Sequence, residues 1–247
     1  MNNYKVLALD ETGKASFGHL SKNFILSGFI LPETFRPKLD RSIQKLKKKY
    51  FNDEEIVLHC REILRKKGPF AVLRKTKKVE LDFWSDMISI LNAKSLSLAF
   101  VITDKTKAQK IGWSDVTILK RSYIKILEGF AEKHLSKDNG KIVAESDPFQ
   151  DGYLIKAHNR LQSIGVPSAG ITGPDYRNKV TSLSLVNKAN LDIDIQMADS
   201  LAIMASVVYK MKIGVKKKPT KVEAMMKKLI DRKMNDKDNP GIFEVLV

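Results

Sequence analysis

The chain has very little cysteine and no long apolar run. Its 247 residues include one cysteine, Cys60, which excludes a disulfide scaffold and a structural zinc knuckle and is typical of a reducing compartment. The first residues lack a basic segment followed by an apolar one, so we expect no signal peptide. The longest strongly apolar stretch, Leu201 to Val208, is far shorter than the roughly 20 residues of a spanning helix. We therefore expect a soluble, cytoplasmic protein with no membrane partner.

Several common catalytic signatures are also absent. The sequence contains no GxxxxGK[ST], no GxGxxG after the first strand, and no GxSxG, HExxH or CxxC. These absences remove the usual evidence for P-loop nucleotide hydrolysis, dinucleotide redox chemistry and serine-hydrolase chemistry. A hydrophobic content of 43% excludes a disordered chain, and the length suits one domain over 1–247.

Positive charge is abundant and clustered. The net charge is +16, and residues 36–80 hold fifteen Lys and Arg against six Asp and Glu, which gives +9. Residues 210–237 hold eleven against three, which gives +8, so the remainder of the chain nets −1. Such clusters suit a nucleic acid, because Lys and Arg that neutralise phosphates release condensed counterions. The plainer alternative is that these lysines are solvated helix faces.

The order of predicted elements indicates an α/β fold. Strands are predicted at Tyr4 to Asp10, Phe24 to Leu31, Leu96 to Thr103, Lys141 to Glu145 and Val180 to Val186. Helices are predicted at Phe35 to Tyr50, Glu80 to Ala93, Ser114 to His134, Pro148 to Gln162, Asp194 to Met211 and Lys221 to Met234. We expect a mixed sheet covered by helices, with a basic helical insertion at about 35–95 and a basic C-terminal helix at about 219–236.

Acidic residues at the ends of strands are the candidate site. Asp10 ends the first strand, Glu145 ends a later one, and Asp199 lies on a mostly apolar helix. A buried carboxylate is costly unless it is neutralised, and a divalent cation shared by several carboxylates would neutralise it. Oxygen ligands favour Mg²⁺ or Mn²⁺. The alternative is that a lysine pairs with each acid. Gln196, three residues before Asp199, shares its helix face.

Glu11 and the pair His59 and Glu62 are further candidates. Strand alternation puts Glu11 opposite Asp10, so both reach one metal only if the chain turns between them, and Gly13 makes a turn at 11–14 plausible. His59 and Glu62 share a face if their segment is helical, where they could supply a ligand or a general base. A capping or surface pair is the alternative.

Three segments together resemble a known bacterial and phage family. Leu-Asp-Glu-Thr-Gly (9–13) before an apolar strand with Gly28, Leu-His-Cys-Arg-Glu-Ile (58–63) and Gln-Met-Ala-Asp-Ser-Leu (196–201) resemble the domain of unknown function 3800 family, whose motifs are DE(S/T)G, HxxE and QxAD. The resemblance runs from residue 4 to about 212. It implies a ribonuclease-H-like mixed sheet with a metal-binding carboxylate cluster and nuclease activity. Glu145 and Asp147 both fit its strand-end acid.

The resulting hypothesis is a metal-dependent nuclease with a ribonuclease-H-like α/β fold. Mg²⁺ or Mn²⁺ would be bound by acids, and His59 or Glu62 would aid proton transfer. The expected metal ligands are Asp10, Glu11, Glu145 and Asp199. Residues 36–80 and 210–237 would hold the nucleic acid. The alternatives are an inactive nucleic-acid-binding module of the same fold and an enzyme acting on a smaller phosphorylated substrate.

Overall fold

A computed structural model describes residues 4–187 and 192–247. The strands are β1 (Tyr4–Thr12), β2 (Asn23–Pro32), β3 (Ser97–Asp104), β4 (Asn139–Glu145), β5 (Val180–Val186) and β6 (Ile242–Leu246). The helices are α1 (Arg36–Phe51), α2 (Cys60–Arg65), α3 (Lys77–Leu91), α4 (Lys105–Lys110), α5 (Asp115–His134), α6 (Asp151–Ile164), α7 (Gly173–Lys179), α8 (Ile193–Lys212) and α9 (Lys221–Met234).

The strands form one mixed sheet in the order β5-β4-β1-β2-β3-β6. β2 is antiparallel to β1 and β3, whereas the pairs β1 with β4, β4 with β5, and β3 with β6 are parallel. All strands except β2 therefore point the same way, and their carboxyl ends share one edge of the sheet. This arrangement confirms the prediction of an α/β fold with a mixed sheet and helices.

Two helical layers cover the two faces of the sheet. The basic helical layer, which comprises α1, α2, α3, α8 and α9, packs on the face that includes Ala8, Phe29 and Phe100. The second helical layer, which comprises α4, α5, α6 and α7, packs on the face that includes Leu7 and Leu9. Because successive strand residues point to opposite faces, β1 contributes side chains to both cores.

The two basic segments predicted separately from the sequence belong to the same layer. Residues 36–80 form α1, α2 and the start of α3, and residues 210–237 contain the end of α8 and all of α9. α9 packs against α3 and α8. Lys233 joins α9 to the end of α3, because its buried Nζ donates hydrogen bonds of 2.6 Å to the carbonyls of Ala93 and Leu96. The positive charge is therefore concentrated on one side of the sheet.

Some predicted boundaries are wrong. The turn expected at 11–14 begins later, because β1 pairs with β2 as far as Thr12 opposite Ile25. Gly13 then turns the chain with φ of 76°, where a Cβ atom would lie 2.5 Å from the Asn23 carbonyl oxygen. The helix expected from Pro148 begins at Asp151, whose carboxylate instead accepts a hydrogen bond from the Asp147 N–H.

Among the helices and strands of the described residues, the short elements α2, α4, α7 and β6 were not predicted. In the described part of the chain, no helix is both long enough and apolar enough to cross a membrane.

Candidate functional site at the carboxyl ends of the strands

Asp10 and Glu145 lie side by side on adjacent parallel strands. Leu9 is paired with Ala144, so the next residue of each strand is an acid at the same edge. Because side chains alternate along a strand, Asp10 lies on the same face as Ala8, and Glu145 lies on the same face as Val143. Ala8 and Val143 are on one face of the sheet, and α8 covers this face. The Asp10 side chain is buried, with 3% exposed. Asp10 and Glu145 are therefore neighbours at one edge of the sheet.

A serine links Asp10 to the helix that carries Asp199. Ser27 is paired with Asp10 across β1 and β2. Its buried Oγ lies 3.3 Å from the Asp10 carbonyl oxygen and 3.0 Å from the Ala198 carbonyl oxygen. The single hydroxyl proton can donate to either carbonyl. This contact brings the residue preceding Asp199 to the strand end occupied by Asp10.

The second and third sequence motifs contact each other directly. The Leu58 N–H donates a hydrogen bond of 3.0 Å to Gln196 Oε1, and the Cys60 N–H donates one of 3.0 Å to Asp199 Oδ2. Cys60 Sγ lies 3.5 Å from the Ser200 carbonyl oxygen. Both Gln196 and Asp199 therefore reach one segment, as expected for positions three apart on a helix. We call residues 58–60 and 196–200 the motif junction.

His59 lies close to Asp199 in the motif junction, whereas Glu62 is exposed on α2. His59 Nδ1 lies 3.9 Å from Asp199 Oδ2, and 44% of the histidine side chain is exposed. His59 precedes α2 with an extended backbone, whereas Glu62 lies in the first turn of α2 and is exposed. The structure thus brings His59 to Asp199. Among the described residues, no hydrogen bond or ion pair joins Glu62 to Asp10, Glu145 or Asp199.

Glu11 lies on the other face of the sheet from Asp10. Because β1 continues through Thr12, the turn that would have brought both carboxylates together is absent from this strand. Glu11 Oε1 accepts a hydrogen bond of 2.8 Å from Gln150 Nε2, which also donates to Asp147 Oδ2 at 3.2 Å. Glu145 is therefore the strand-end acid on the face of Asp10, and Asp147 belongs with Glu11.

Tyr123 of α5 lies close enough to Glu11 and Asp147 for their charges to affect its pKa. Burial raises the pKa of Tyr123 well above its usual range, and the negative charges of Glu11, Asp147, Asp151 and Asp10 add to the increase. No sequence signal pointed to Gln150 or Tyr123, because their proximity to Glu11 depends on contacts between residues that are distant along the chain.

Asp194 is a buried acid that sequence reasoning missed. Its carboxylate is fully buried and lies 2.6 Å from a guanidinium nitrogen of Arg36. Burial raises the pKa of Asp194 to about 6, although the positive charge of Arg36 acts in the opposite direction. Its apolar neighbours Ile193 and Ile195 were a signal that could have revealed its burial. Asp194 lies in the first turn of α8.

The oxygen atoms at this edge include the carboxylates of Asp10, Glu145 and Asp199, which are the ligand type that Mg²⁺ and Mn²⁺ prefer. Within residues 4–187 and 192–247, no group of three or more His, Cys, Asp and Glu side chains is already assembled to hold a metal ion. A metal at this edge would therefore have to draw its ligands together.

Comparisons with family models, curated proteins and solved structures give no match for this chain. The resemblance drawn from the three motifs therefore stays a prediction.

Proposed function

We propose that the protein is a metal-dependent nuclease that hydrolyses phosphodiester bonds of a nucleic acid. The observation that carries the proposal is the shared position of Asp10 and Glu145, which directly follow the last paired residues of two adjacent parallel strands on the face covered by the Asp199 helix. Three carboxylates from three elements supply the oxygen ligands that such a site needs. The proposal names Asp10, Glu145 and Asp199 as ligands and omits Glu11.

The sheet supports the ribonuclease-H-like part of the proposal. A β1-β2 hairpin continues antiparallel into β3, while β4 and β5 extend the sheet in parallel on the other side of β1. β1 is therefore central, and its carboxyl end lies where neighbouring strands can add further acids. A mixed sheet with Asp10 and Glu145 on adjacent parallel strands supports this part of the proposal.

Bound Mg²⁺ or Mn²⁺ would activate water and stabilise the leaving oxygen. The chain's own residues would orient that chemistry. The Asp10 Oδ1 accepts the Glu11 N–H at 2.6 Å, which restricts rotation of the carboxylate. His59, partly exposed beside Asp199, is placed to exchange a proton with solvent.

The basic helical layer supports a polymeric substrate. It contains both lysine-rich segments and covers the same face as Asp10 and Glu145. Lys and Arg contacts to phosphates position a nucleic acid without reading its bases, so binding should weaken steeply with salt.

The experiment compares Asp10→Asn with Asp104→Asn. Asp104 also ends a strand of this sheet, but it caps α4, and an asparagine can serve as that cap. We expect Mg²⁺- or Mn²⁺-dependent cleavage of labelled DNA or RNA by the wild type and by Asp104→Asn. We expect about a thousandfold loss in Asp10→Asn, because metal-ion stabilisation is worth several kcal/mol.

Binding provides the control for this comparison. Both variants should retain wild-type affinity for nucleic acid in EDTA, and the wild-type melting temperature should rise with metal while that of Asp10→Asn should not. Cleavage by purified Asp10→Asn at the wild-type rate would overturn the proposal.

A second candidate is a nucleic-acid-binding module without catalysis. It is favoured by the lack of a preassembled metal-ligand group among the described residues. This module would bind nucleic acid with the same salt dependence, and metal would neither raise its melting temperature nor cause cleavage.

A further inference from the structure

A groove with an apolar floor lies within the basic helical layer. It has a volume of about 760 Å³ and lies between α3, α8 and α9. Its floor is formed by Leu81, Trp84, Ile203, Val207, Val222 and Met226. On α8 and on α9 these residues are four apart, so each helix presents a short apolar row to the groove.

The mouth of the groove is positive. The first turns of α3 and α9 both line it, and Lys233 ties the far ends of these helices together, so the two helices run in the same direction. Their positive dipole ends therefore lie at the same end of the groove. The threonines Thr76 and Thr220 cap these ends.

The charged side chains at the mouth reinforce this polarity. The two acids of the groove wall are already paired, Glu80 with Lys66 at 2.6 Å and Glu223 with Lys216 at 2.5 Å. Lys77 and Lys221 are exposed at the mouth, and within the described chain no acid forms an ion pair with either. A ligand would thus meet an apolar surface bordered by uncompensated positive charge.

We propose that this groove is a docking site for an acidic amphipathic helix of a partner protein. Apolar rows from several helices are the surface into which an amphipathic helix lays its apolar face. Glutamate or aspartate beside those anchors would complement Lys77, Lys221 and the two dipole ends. A nucleic acid lacks an apolar face to cover residues such as Val207 and Ile203, so the floor favours a polypeptide. The proposal does not depend on nuclease activity.

The test measures binding of a labelled helical peptide by fluorescence anisotropy with the full chain. The peptide has about 18 residues, long enough for stable helix formation. Leucines are placed along one face at the i, i+4, i+7, i+11 spacing, and glutamates flank them. A peptide of the same composition with scattered leucines, and one with lysine in place of glutamate, are the controls. We expect the patterned acidic peptide to bind at least about tenfold more tightly than either control.

Variants locate the peptide. Val207→Glu places a carboxylate on the floor, and the pair Lys77→Glu with Lys221→Glu reverses the charge of the mouth. Each should weaken peptide binding about tenfold or more. The two lysine substitutions also place acids in the first turns of α3 and α9, which favours those helices, so unfolding would not explain the loss. Lys228→Glu, on α9 but outside the groove, should retain wild-type affinity within about twofold.

Several outcomes would overturn the proposal. Equal binding of the patterned and scattered peptides would show that only charge attracts them. Equal effects of Lys77→Glu with Lys221→Glu and of Lys228→Glu would place the peptide elsewhere. Binding of a long-chain carboxylate in the groove without peptide binding would assign it to a small amphiphile. Self-association that Val207→Glu abolishes, without peptide binding, would assign it to a second copy of the chain.

Discussion

Asp10 and Glu11 are neighbours in β1, yet their side chains meet different layers of the molecule. Asp10 faces the basic helical layer, where Ser27 connects its backbone to α8. Glu11 faces the second helical layer, where Gln150 holds it together with Asp147. Two groups of acids therefore lie at the same edge of the sheet but on opposite faces, one with Asp10 and the other with Glu11.

The comparison shows that the register of β1 decides which acid belongs to which group. A shift of one residue would exchange Asp10 with Glu11 and move every apolar side chain of β1 to the wrong core. The apolar positions Leu7, Ala8 and Leu9 are fully packed, so the same contacts that build the cores also position the acids. The two layers should also respond differently to pH, because His134 is buried in the second helical layer and Asp194 is buried in the basic helical layer.

The largest expected difference is the acid sensitivity caused by His134, in the second helical layer. Burial lowers the pKa of His134 to about 3, whereas an unfolded histidine titrates near 6.5. Between these values the unfolded state binds more protons, so stability falls as the pH falls. His134→Asn should remove a slope of about 1.4 kcal/mol per pH unit, measured by urea unfolding between about pH 4 and 7.

His19→Asn is the control for this slope, because His19 is exposed in the β1-β2 connection. Parallel profiles for His134→Asn and the wild type would contradict the prediction.

Asp194, on the face of the basic helical layer, should give a smaller effect of the opposite sign. Burial raises its pKa to about 6 from 3.8. Its contribution to stability is fully present below about pH 3.8 and is lost as the pH rises through 6. Asp194→Asn should remove this loss, so its unfolding free energy relative to the wild type should increase between about pH 4 and 6.

Loss of the Arg36 ion pair changes the overall stability of Asp194→Asn, so the pH slope is the quantity to compare. Asp115→Asn, an exposed acid in the first turn of α5, is the matched control. A relative stability that stays constant over this pH range would rule out the proposed role of Asp194.

The smallest expected effect concerns opening of the motif junction. Cys60 is the single cysteine and is 2% exposed, so its reaction with a thiol reagent reports how often this junction opens. Asp199→Ala removes the hydrogen bond that the Cys60 N–H donates to Asp199. Loss of this hydrogen bond should lower the free energy of opening the motif junction by about 1.4 kcal/mol. Labelling should therefore accelerate about tenfold.

Asp104→Asn should label at the wild-type rate, because the asparagine oxygen can still accept the Tyr209 hydroxyl and cap α4, and Asp104 forms no hydrogen bond with the motif junction. Unchanged labelling in Asp199→Ala would mean that the hydrogen bond between Asp199 and Cys60 does not hold the junction closed.

Local patterns predicted most elements correctly. The Ser114 cap and the apolar periodicity after it gave the start and end of α5, and Lys221 to Met234 forms α9 with the predicted bounds. β6 was missed because a five-residue edge strand depends on pairing with β3, which lies far away along the chain. The local pattern of residues 242–246 carries no information about pairing with β3.

The same limit applies to the candidate site. The i, i+3 rule correctly placed Gln196 and Asp199 on one face, and alternation correctly separated Asp10 from Glu11 when β1 continued. These rules could not identify the group to which Gln196 is hydrogen-bonded. Gln196 reaches the Leu58 N–H across 138 positions, and the partner is a backbone group that any residue would present.

The position of β6 has a consequence for how the chain is synthesised. β3 has β2 on one side and receives β6 on the other only after α9 has been made. Until then, a nascent chain presents the β3 edge unpaired, with Phe100 and Ile102 beside it, and such edges are templates for pairing with other chains. We therefore expect the β3 edge to be a site of aggregation until β6 pairs with it.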